Sequence, residues 1–374
     1  MESFFEIWKN LSWKKIDSSI NKKTEKDVQK AIFSGRPNFE DMLALLSPIA
    51  LKYIKFLIKK SREITKKKFG NNIQIFLPMY VSNFCTNDCS YCGFSSKNKI
   101  RRKFLDTKEI EKECKKIKSL GIKNILVVSG ENNRIVGIEY FLNTIKIVKK
   151  YFSMILFEVQ PLSVKEYSVL QKNGLDGILL YQETYNYTDY NKHHIKGKKK
   201  DFFWRISAPE RIGQSNISKI GLGILSGLSK YWRVDYYFLY LHIMYLRKKF
   251  WKCEYSISFP RIRPFFYSKN KKKFLGISDL ELIQVICSFR ILFPEIEINL
   301  STRESKKFRN FMIPVCINNI SVNSKTYPGG YTKKKKELEQ FSIQDNRNIN
   351  QIMKYLQSKD LQIVFKDWDS HFGR

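Results

Sequence analysis

The stretch Ile73-Gln74-Ile75-Phe76-Leu77-Pro78-Met79-Tyr80-Val81, followed by Ser82-Asn83-Phe84-Cys85-Thr86-Asn87-Asp88-Cys89-Ser90-Tyr91-Cys92-Gly93-Phe94, decides how the chain is read. A near-continuous apolar run is the pattern of a strand buried on both faces, as in a parallel sheet covered by helices. Working outward, similar runs recur at 124–129, 154–160, 177–182, 219–225, 255–259 and 295–300, with 312–317 as an eighth. Amphipathic segments lie between them, the alternation of a βα fold. Capping boxes, in which a short N-cap side chain and a Glu three residues on satisfy each other's backbone N–H groups, open helices at Asp106/Glu109, Ser163/Glu166 and Ser278/Glu281. Gly121 and Gly174 stop the first two. Seven or eight such units over about 250 residues match an α/β fold of the (β/α)8 TIM-type barrel class. An open doubly wound sheet is the alternative.

Residues 1–70 read as a Lys-rich helical extension that caps the barrel, 71–318 as the barrel core, and 319–374 as a C-terminal extension closing one barrel end. The last contains Lys333 to Lys336, a helix at 349–356 and a strand at 361–365. The 374 residues are 43% hydrophobic, enough for a large core, and carry a net charge of +33. Of the 68 basic residues, 52 are Lys and 16 are Arg. Nucleic-acid readers favour Arg forks, so a Lys excess accompanied by abundant Ile and Asn is discounted as compositional drift. The apolar run at 236–246 is too short to cross a membrane and is flanked by Arg233, Asp235 and Arg247. The start, Met1-Glu2-Ser3-Phe4-Phe5-Glu6, lacks the basic segment of a secretory signal, and a cytoplasmic protein is expected.

Seven Cys is an odd number, which suits reduced thiols better than a disulfide frame. Cys85, Cys89 and Cys92 form C-x-x-x-C-x-x-C in the loop after the first strand. Three thiolates can hold three irons of a cubane [4Fe-4S] cluster and leave the fourth open to a small molecule. A structural zinc would need a fourth ligand, and His193, His194, His242 and His371 are not at finger-like spacing. Inert core cysteines would follow an apolar period, whereas these lie among Thr, Asn, Asp and Ser.

Polar residues close several strands: Ser129-Gly130-Glu131, then Glu158 and Gln160, then Gln182-Glu183-Thr184, then Ser301-Thr302-Arg303-Glu304. In such a barrel chemistry sits at the C-terminal strand ends, beside the cysteine loop. A carboxylate such as Glu131 suits an ammonium group, and an Arg fork such as Arg205 or Arg303 suits a carboxylate, so two amino-acid-like ligands could be held there. A surface ion pair of Arg205 with Glu210 or Asp201 is the structural alternative. Gly221-Leu222-Gly223 lacks dinucleotide-binding spacing and is read as close backbone approach inside the barrel. His193-His194 with the Lys residues around them reads as a solvated loop, with phosphate binding as the alternative.

The cysteine motif resembles that of the radical S-adenosylmethionine (SAM) superfamily. The resemblance implies a [4Fe-4S] cluster on Cys85, Cys89 and Cys92, with SAM chelating the open iron. It further implies cofactor contacts from Tyr91, Gly130, Glu131, Glu158 and Arg205. Within the superfamily, Cys89 to Phe94, Tyr181-Gln182-Glu183-Thr184-Tyr185, Lys198 to Arg205, Leu300 to Ser305, Ser324 to Gly330 and Phe365-Lys366-Asp367-Trp368-Asp369 are similar to the aromatic amino-acid lyases, and most specifically to the 2-iminoacetate synthase family of thiamine thiazole biosynthesis. That likeness implies a lyase cleaving the Cα–Cβ bond of L-tyrosine. Arg303 would clamp the substrate carboxylate, assisted by Ser321 or a nearby hydroxyl, and Gln182 and Glu183 would lie in the catalytic set. It also implies thiazole synthase as a partner and a flavodoxin-like electron donor. A related hydrogenase maturase carries further cysteines near its C-terminus, whereas this sequence has none after Cys316. A tryptophan lyase is the remaining sibling, and a basic RNA-binding or RNA-modifying iron–sulfur protein is the rival from another class.

Overall fold

The computed structural model describes residues 2–35, 37–264, 276–333 and 339–365. Eight parallel strands close into a barrel: β1 (Asn72–Ser82), β2 (Asn124–Ser129), β3 (Met154–Glu158), β4 (Gly177–Leu179), β5 (Lys219–Gly223), β6 (Glu254–Ser258), β7 (Glu297–Leu300) and β8 (Asn319–Ser321). Each pairs with its neighbour in sequence, and β8 returns to β1 through Gln74↔Asn319 and Phe76↔Ser321. The open sheet is thereby excluded. Alternation divides each strand: Ile125 and Val127 of β2 pack outward against the helices, whereas Leu126 and Val128 join Phe76, Tyr80, Leu156 and Leu179 inside the barrel.

The eighth strand is not the apolar run at 312–317. That run is the last part of the helix Lys306–Cys316, whose N-cap Ser305 accepts from the Phe308 amide at 3.2 Å. A short apolar run cannot be assigned by periodicity alone, and Pro314 argues against a central strand. The true strand, Asn319–Ser321, is too short and polar to stand out. The runs at 154–160, 177–182 and 219–225 leave their ladders early, at Glu158, Leu179 and Gly223, and their ends become loops at the barrel mouth. All three expected capping boxes form.

The N-terminal helices do not cap an end. They jacket the barrel's flank, where Ile54–Phe69 packs on Asp279–Leu292 and Lys306–Cys316. The amide of Gln284 donates to the Leu45 and Ser47 carbonyls, so the helix Asp279–Leu292 is buried on nearly every side. The C-terminal segment supplies the helix Ile349–Gln357 and a short strand β9 (Gln362–Val364), which pairs with the start of β1. Of the basic run at 333–336 only Lys333 is described, and the motif at 365–369 lies outside the described residues beyond Phe365. Among the described residues no helix is long and apolar enough to cross a membrane.

Candidate active site

The loop after β1 carries all three motif cysteines to the C-terminal mouth of the barrel. Arg102 holds it from outside, donating to the carbonyls of Asn83, Phe94, Ser95 and Asn98 at 2.6–3.2 Å. From inside, Thr86 N donates to the Glu131 carbonyl at 3.0 Å and Gly130 N to the Ser82 carbonyl at 2.9 Å. Gly130 is obligatory in this contact, because a Cβ there would stand 2.4 Å from the Phe84 carbonyl oxygen. A two-residue pairing of Asp88–Cys89 with His194–Lys196 fixes the far side.

Cys85, Cys89 and Cys92 line one cavity. Burial pushes the Cys85 thiol up to about 11 and raises Cys89 and Cys92 as well. Such thiols become ligands only when a metal centre displaces their protons. Two buried ion pairs share the cavity. Arg205 Nη1 meets Glu131 Oε1 at 3.0 Å while its Nε donates to the Tyr181 carbonyl, and Lys199 Nζ meets Glu183 Oε1 at 2.6 Å. Arg205 therefore does not pair with Glu210 or Asp201. Asn87 ties the two pairs together, donating to Glu131 Oε2 at 2.8 Å and accepting from the Lys199 amide at 2.9 Å. Burial works against the Glu131 anion, but Arg205, Lys199 and Asn87 outweigh it and hold the carboxyl below its usual range. Glu183 occupies left-handed backbone at φ 71°, a conformation that places its side chain toward Lys199 at the cost of local strain.

His193 and His194 are not in a solvated loop. His194 is fully buried: its Nδ1–H donates to the Tyr190 carbonyl at 2.7 Å, leaving Nε2 to accept from the Tyr91 hydroxyl at 2.7 Å. Burial, with Lys199 and Arg205 nearby, keeps the imidazole neutral well below the ordinary histidine range. His193 Nδ1 faces the Ser90 hydroxyl. Both rings thus brace the cysteine loop.

A second cavity adjoins the first, sharing Glu158, Tyr181, Arg303 and Phe341. Phe76, Tyr80 and Leu126 form its apolar wall, and Ser321 lies on its floor, accepting from the Thr302 amide at 3.0 Å. The Arg303 guanidinium lies flat on the Phe341 ring, 3.4 Å from its centroid, and makes no ion pair among the described residues. Its neighbour Glu304 is buried beneath Arg261 and Arg263. Residues 339–345 cross the mouth as a strap: Gly93 N donates to the Gln340 carbonyl, Ser342 N to Pro264, and Gln344 N to Thr302. The Gln340 side chain accepts from the Tyr80 hydroxyl at 2.7 Å and lines the cysteine cavity. Gln182 stands apart. Its neighbour Glu183 faces the cysteines, whereas Gln182 lines a separate small cavity with Tyr185 and His242. Gly221 and Gly223 do mark close approach, since a Cβ on either would lie 2.6 Å from a neighbouring strand's atoms.

Residues 79–232 match the Radical SAM superfamily, and residues 258–362 the Biotin and Thiamin Synthesis associated domain. The chain is 45% identical over 374 residues to 2-iminoacetate synthase of Salmonella typhimurium (strain LT2) and of Escherichia coli (strain K12), covering 100% of this chain and 99% of each relative. The chain belongs to the 2-iminoacetate synthase family. Among solved structures, the FeFe-hydrogenase maturase HydG from Carboxydothermus hydrogenoformans is similar with a TM-score of 0.85 and 28% identity, over 99% of this chain and 85% of that one.

Membership in this radical SAM family implies SAM and an iron–sulfur cluster, and the donor set fits both. Three thiols face one cavity. One thiolate per iron would leave the fourth iron of a cubane open, which matches a three-cysteine donor set. Both nearby imidazoles are committed elsewhere, so neither offers a fourth ligand. For the zwitterionic part of SAM, Glu131 and Arg205 present a carboxylate and a guanidinium already at hydrogen-bond distance from each other.

Sequence reasoning missed Asn87, Arg102, Lys199 and the strap residues Gln340 and Phe341, and read the buried His194 as part of a solvated loop. Lys199 sits in a Lys run that looks solvated, and no local pattern marks the others.

Proposed function

We propose that this enzyme cleaves the Cα–Cβ bond of L-tyrosine to 2-iminoacetate (dehydroglycine) and p-cresol, converting SAM to methionine and 5′-deoxyadenosine. The observation that carries the reading is the pair of adjoining cavities: one holds the three thiols with Glu131 and Arg205, the other is aromatic-walled and holds Arg303, which makes no ion pair among the described residues. Cys85, Cys89 and Cys92 would bind a [4Fe-4S] cluster whose open iron takes SAM. When bound, the cluster and SAM would supply a 5′-deoxyadenosyl radical for hydrogen-atom abstraction from the substrate.

The protein's own work is placement. The Arg303 fork, oriented by stacking on Phe341, takes the substrate carboxylate, with the Ser321 hydroxyl beside it in the same cavity. The phenol ring then lies against the wall of Phe76, Tyr80 and Leu126. Tyr91, locked by His194, stands against the adenine, and Gly130 leaves room for the cysteine loop. Lys199 and Glu183 neutralise each other beside the thiols. The strap covers the reacting centre and limits the approach of water.

Two partners fit this chemistry: thiazole synthase as acceptor of the unstable imine, and a flavodoxin-like protein as electron source. Seven free cysteines suit the reducing cytoplasm. The test is anaerobic incubation with SAM, reductant and either tyrosine or tryptophan, followed by mass spectrometry. p-Cresol and 5′-deoxyadenosine should form with tyrosine alone. Formation of 5′-deoxyadenosine that is indifferent to tyrosine would sink the reading.

A further inference from the structure

Nearly every charged side chain at the barrel mouth is already paired. Glu131 holds Arg205, Glu183 holds Lys199, and Glu304 holds Arg261 and Arg263. Glu158 and Arg303 are the exceptions. Glu158, the last residue of β3, accepts no hydrogen bond and forms no ion pair among the described residues, although its carboxylate feels the Arg303 charge. The two are the charged residues common to both cavities, so they stand at the seam where a substrate meets the cofactor. A carboxylate and a guanidinium that face one space without closing on each other match the two charges of an α-amino acid.

Resting on the tyrosine reading above, we infer that Glu158 is a catalytic residue that receives the substrate's α-ammonium group opposite Arg303 and takes its proton before the radical step. This assigns to the substrate a carboxylate that the sequence motif had placed with the cofactor. The step is heterolytic: an N–H bond breaks, its electron pair stays on nitrogen, an O–H bond forms on Glu158, and nothing is oxidised or reduced. The product is a neutral amine, from which a hydrogen atom leaves more readily than from an ammonium.

The surroundings suit a base. Burial pushes the Glu158 carboxyl up to about 7, with Glu183 adding to the rise and Arg303, Lys199 and Arg205 opposing it. The phenols of Tyr80 and Tyr181 face the same group, and both are raised by burial and stay protonated. A base poised near neutrality balances being ionised against holding the proton it takes. Because Glu158 must be deprotonated to act, turnover should rise with pH through the neutral range and level off above it.

The test compares wild type, Glu158→Gln and Glu158→Asp, each reconstituted to equal iron content. Glu158→Gln should lower tyrosine-dependent kcat by at least about 100-fold and abolish the acidic limb of the pH profile, while SAM still perturbs the reduced cluster's paramagnetic signal at wild-type concentrations. Glu158→Asp should recover part of the rate together with a pH-dependent limb. A Glu158→Gln enzyme with wild-type kcat and profile overturns the assignment, and so does one that has lost SAM binding, which would return Glu158 to the cofactor. Wild-type p-cresol formation in the same preparation separates the two levels. Its absence overturns the substrate reading and the base with it, whereas its presence beside an unaffected variant overturns the base alone.

Discussion

Replacing Gly130 by Ala should cost little stability and most of the cluster. The added Cβ would lie 2.4 Å from the Phe84 carbonyl oxygen, 2.9 Å from its carbon and 3.2 Å from Cys85 Cβ. Reaching ordinary contact needs a displacement of about 1 Å, and the obstacle is backbone rather than a pliable side chain, so the cost is about 1–3 kcal/mol. An unfolding entropy of about 2.1 cal/mol/K per residue spread over a chain of this length turns that cost into only about 1–4 °C of Tm. Metal sites are less forgiving, because ligand distances must hold to about ±0.2 Å. A shift of about 1 Å in the Phe84–Cys85 backbone moves one thiolate out of register. Iron and acid-labile sulfide per chain after anaerobic reconstitution should fall to less than about half of wild type, with the metal-free protein melting almost normally. Gly35→Ala, where no atom lies within 4 Å of the new Cβ, serves as the control. A Gly130→Ala protein with full iron content and an unaltered reduced-cluster spectrum would refute the steric reasoning.

Arg303→Lys should raise the KM for tyrosine about 10- to 100-fold, since Lys loses one arm of a charged fork worth about 1.5–3 kcal/mol, while SAM binding persists. Steady-state kinetics and SAM titration check both halves. His194→Phe strands the buried Tyr91 hydroxyl, at about 1–3 kcal/mol, and should weaken SAM binding about 5- to 100-fold. His194→Gln keeps an acceptor and should restore most of it, and since the imidazole is already neutral, neither effect should change between about pH 6 and 8. Glu109 ties the first barrel helix to the segment before it through Lys103 and to the C-terminal segment through Lys333. Burial opposes its charge, but those lysines and the Asp106 amide hold the carboxyl down to about 2. Its folded value lies below its unfolded one, so its contribution is present above about pH 4.5 and drains away as the pH falls toward about 2. The urea midpoint should therefore drop less steeply over that window in Glu109→Gln than in wild type.

The barrel was legible because burial on both faces makes strands such as β2 continuous apolar runs, and because capping at Asp106, Ser163 and Ser278 is local chemistry. The cysteine trio was legible for the same reason. What escaped notice depends on distance along the chain. His194 meets Tyr91 across 103 residues, and Gln340 meets Tyr80 across 260, so neither leaves a pattern in its own neighbourhood. Gln182 was grouped with Glu183 because the two are adjacent. In an extended chain neighbours point opposite ways, and the positive φ at Glu183 determines which of them faces the cysteines. The missed eighth strand shows the converse: its identity comes from closing the gap between β7 and β1, a constraint that three residues cannot carry themselves.

The strap from 339 to 345 also sets an order of events at the ribosome. The last barrel strand is complete at Ser321, but Gln340, whose carbonyl accepts from the Gly93 amide beside Cys92, and the Phe341 ring under Arg303 are translated only afterwards. At about 5–20 residues per second, the thiols wait about 12–50 s between their own synthesis and that of their cover. During that interval the nascent polypeptide presents three uncovered sulfurs to the cell's oxidants and to its iron–sulfur assembly apparatus alike.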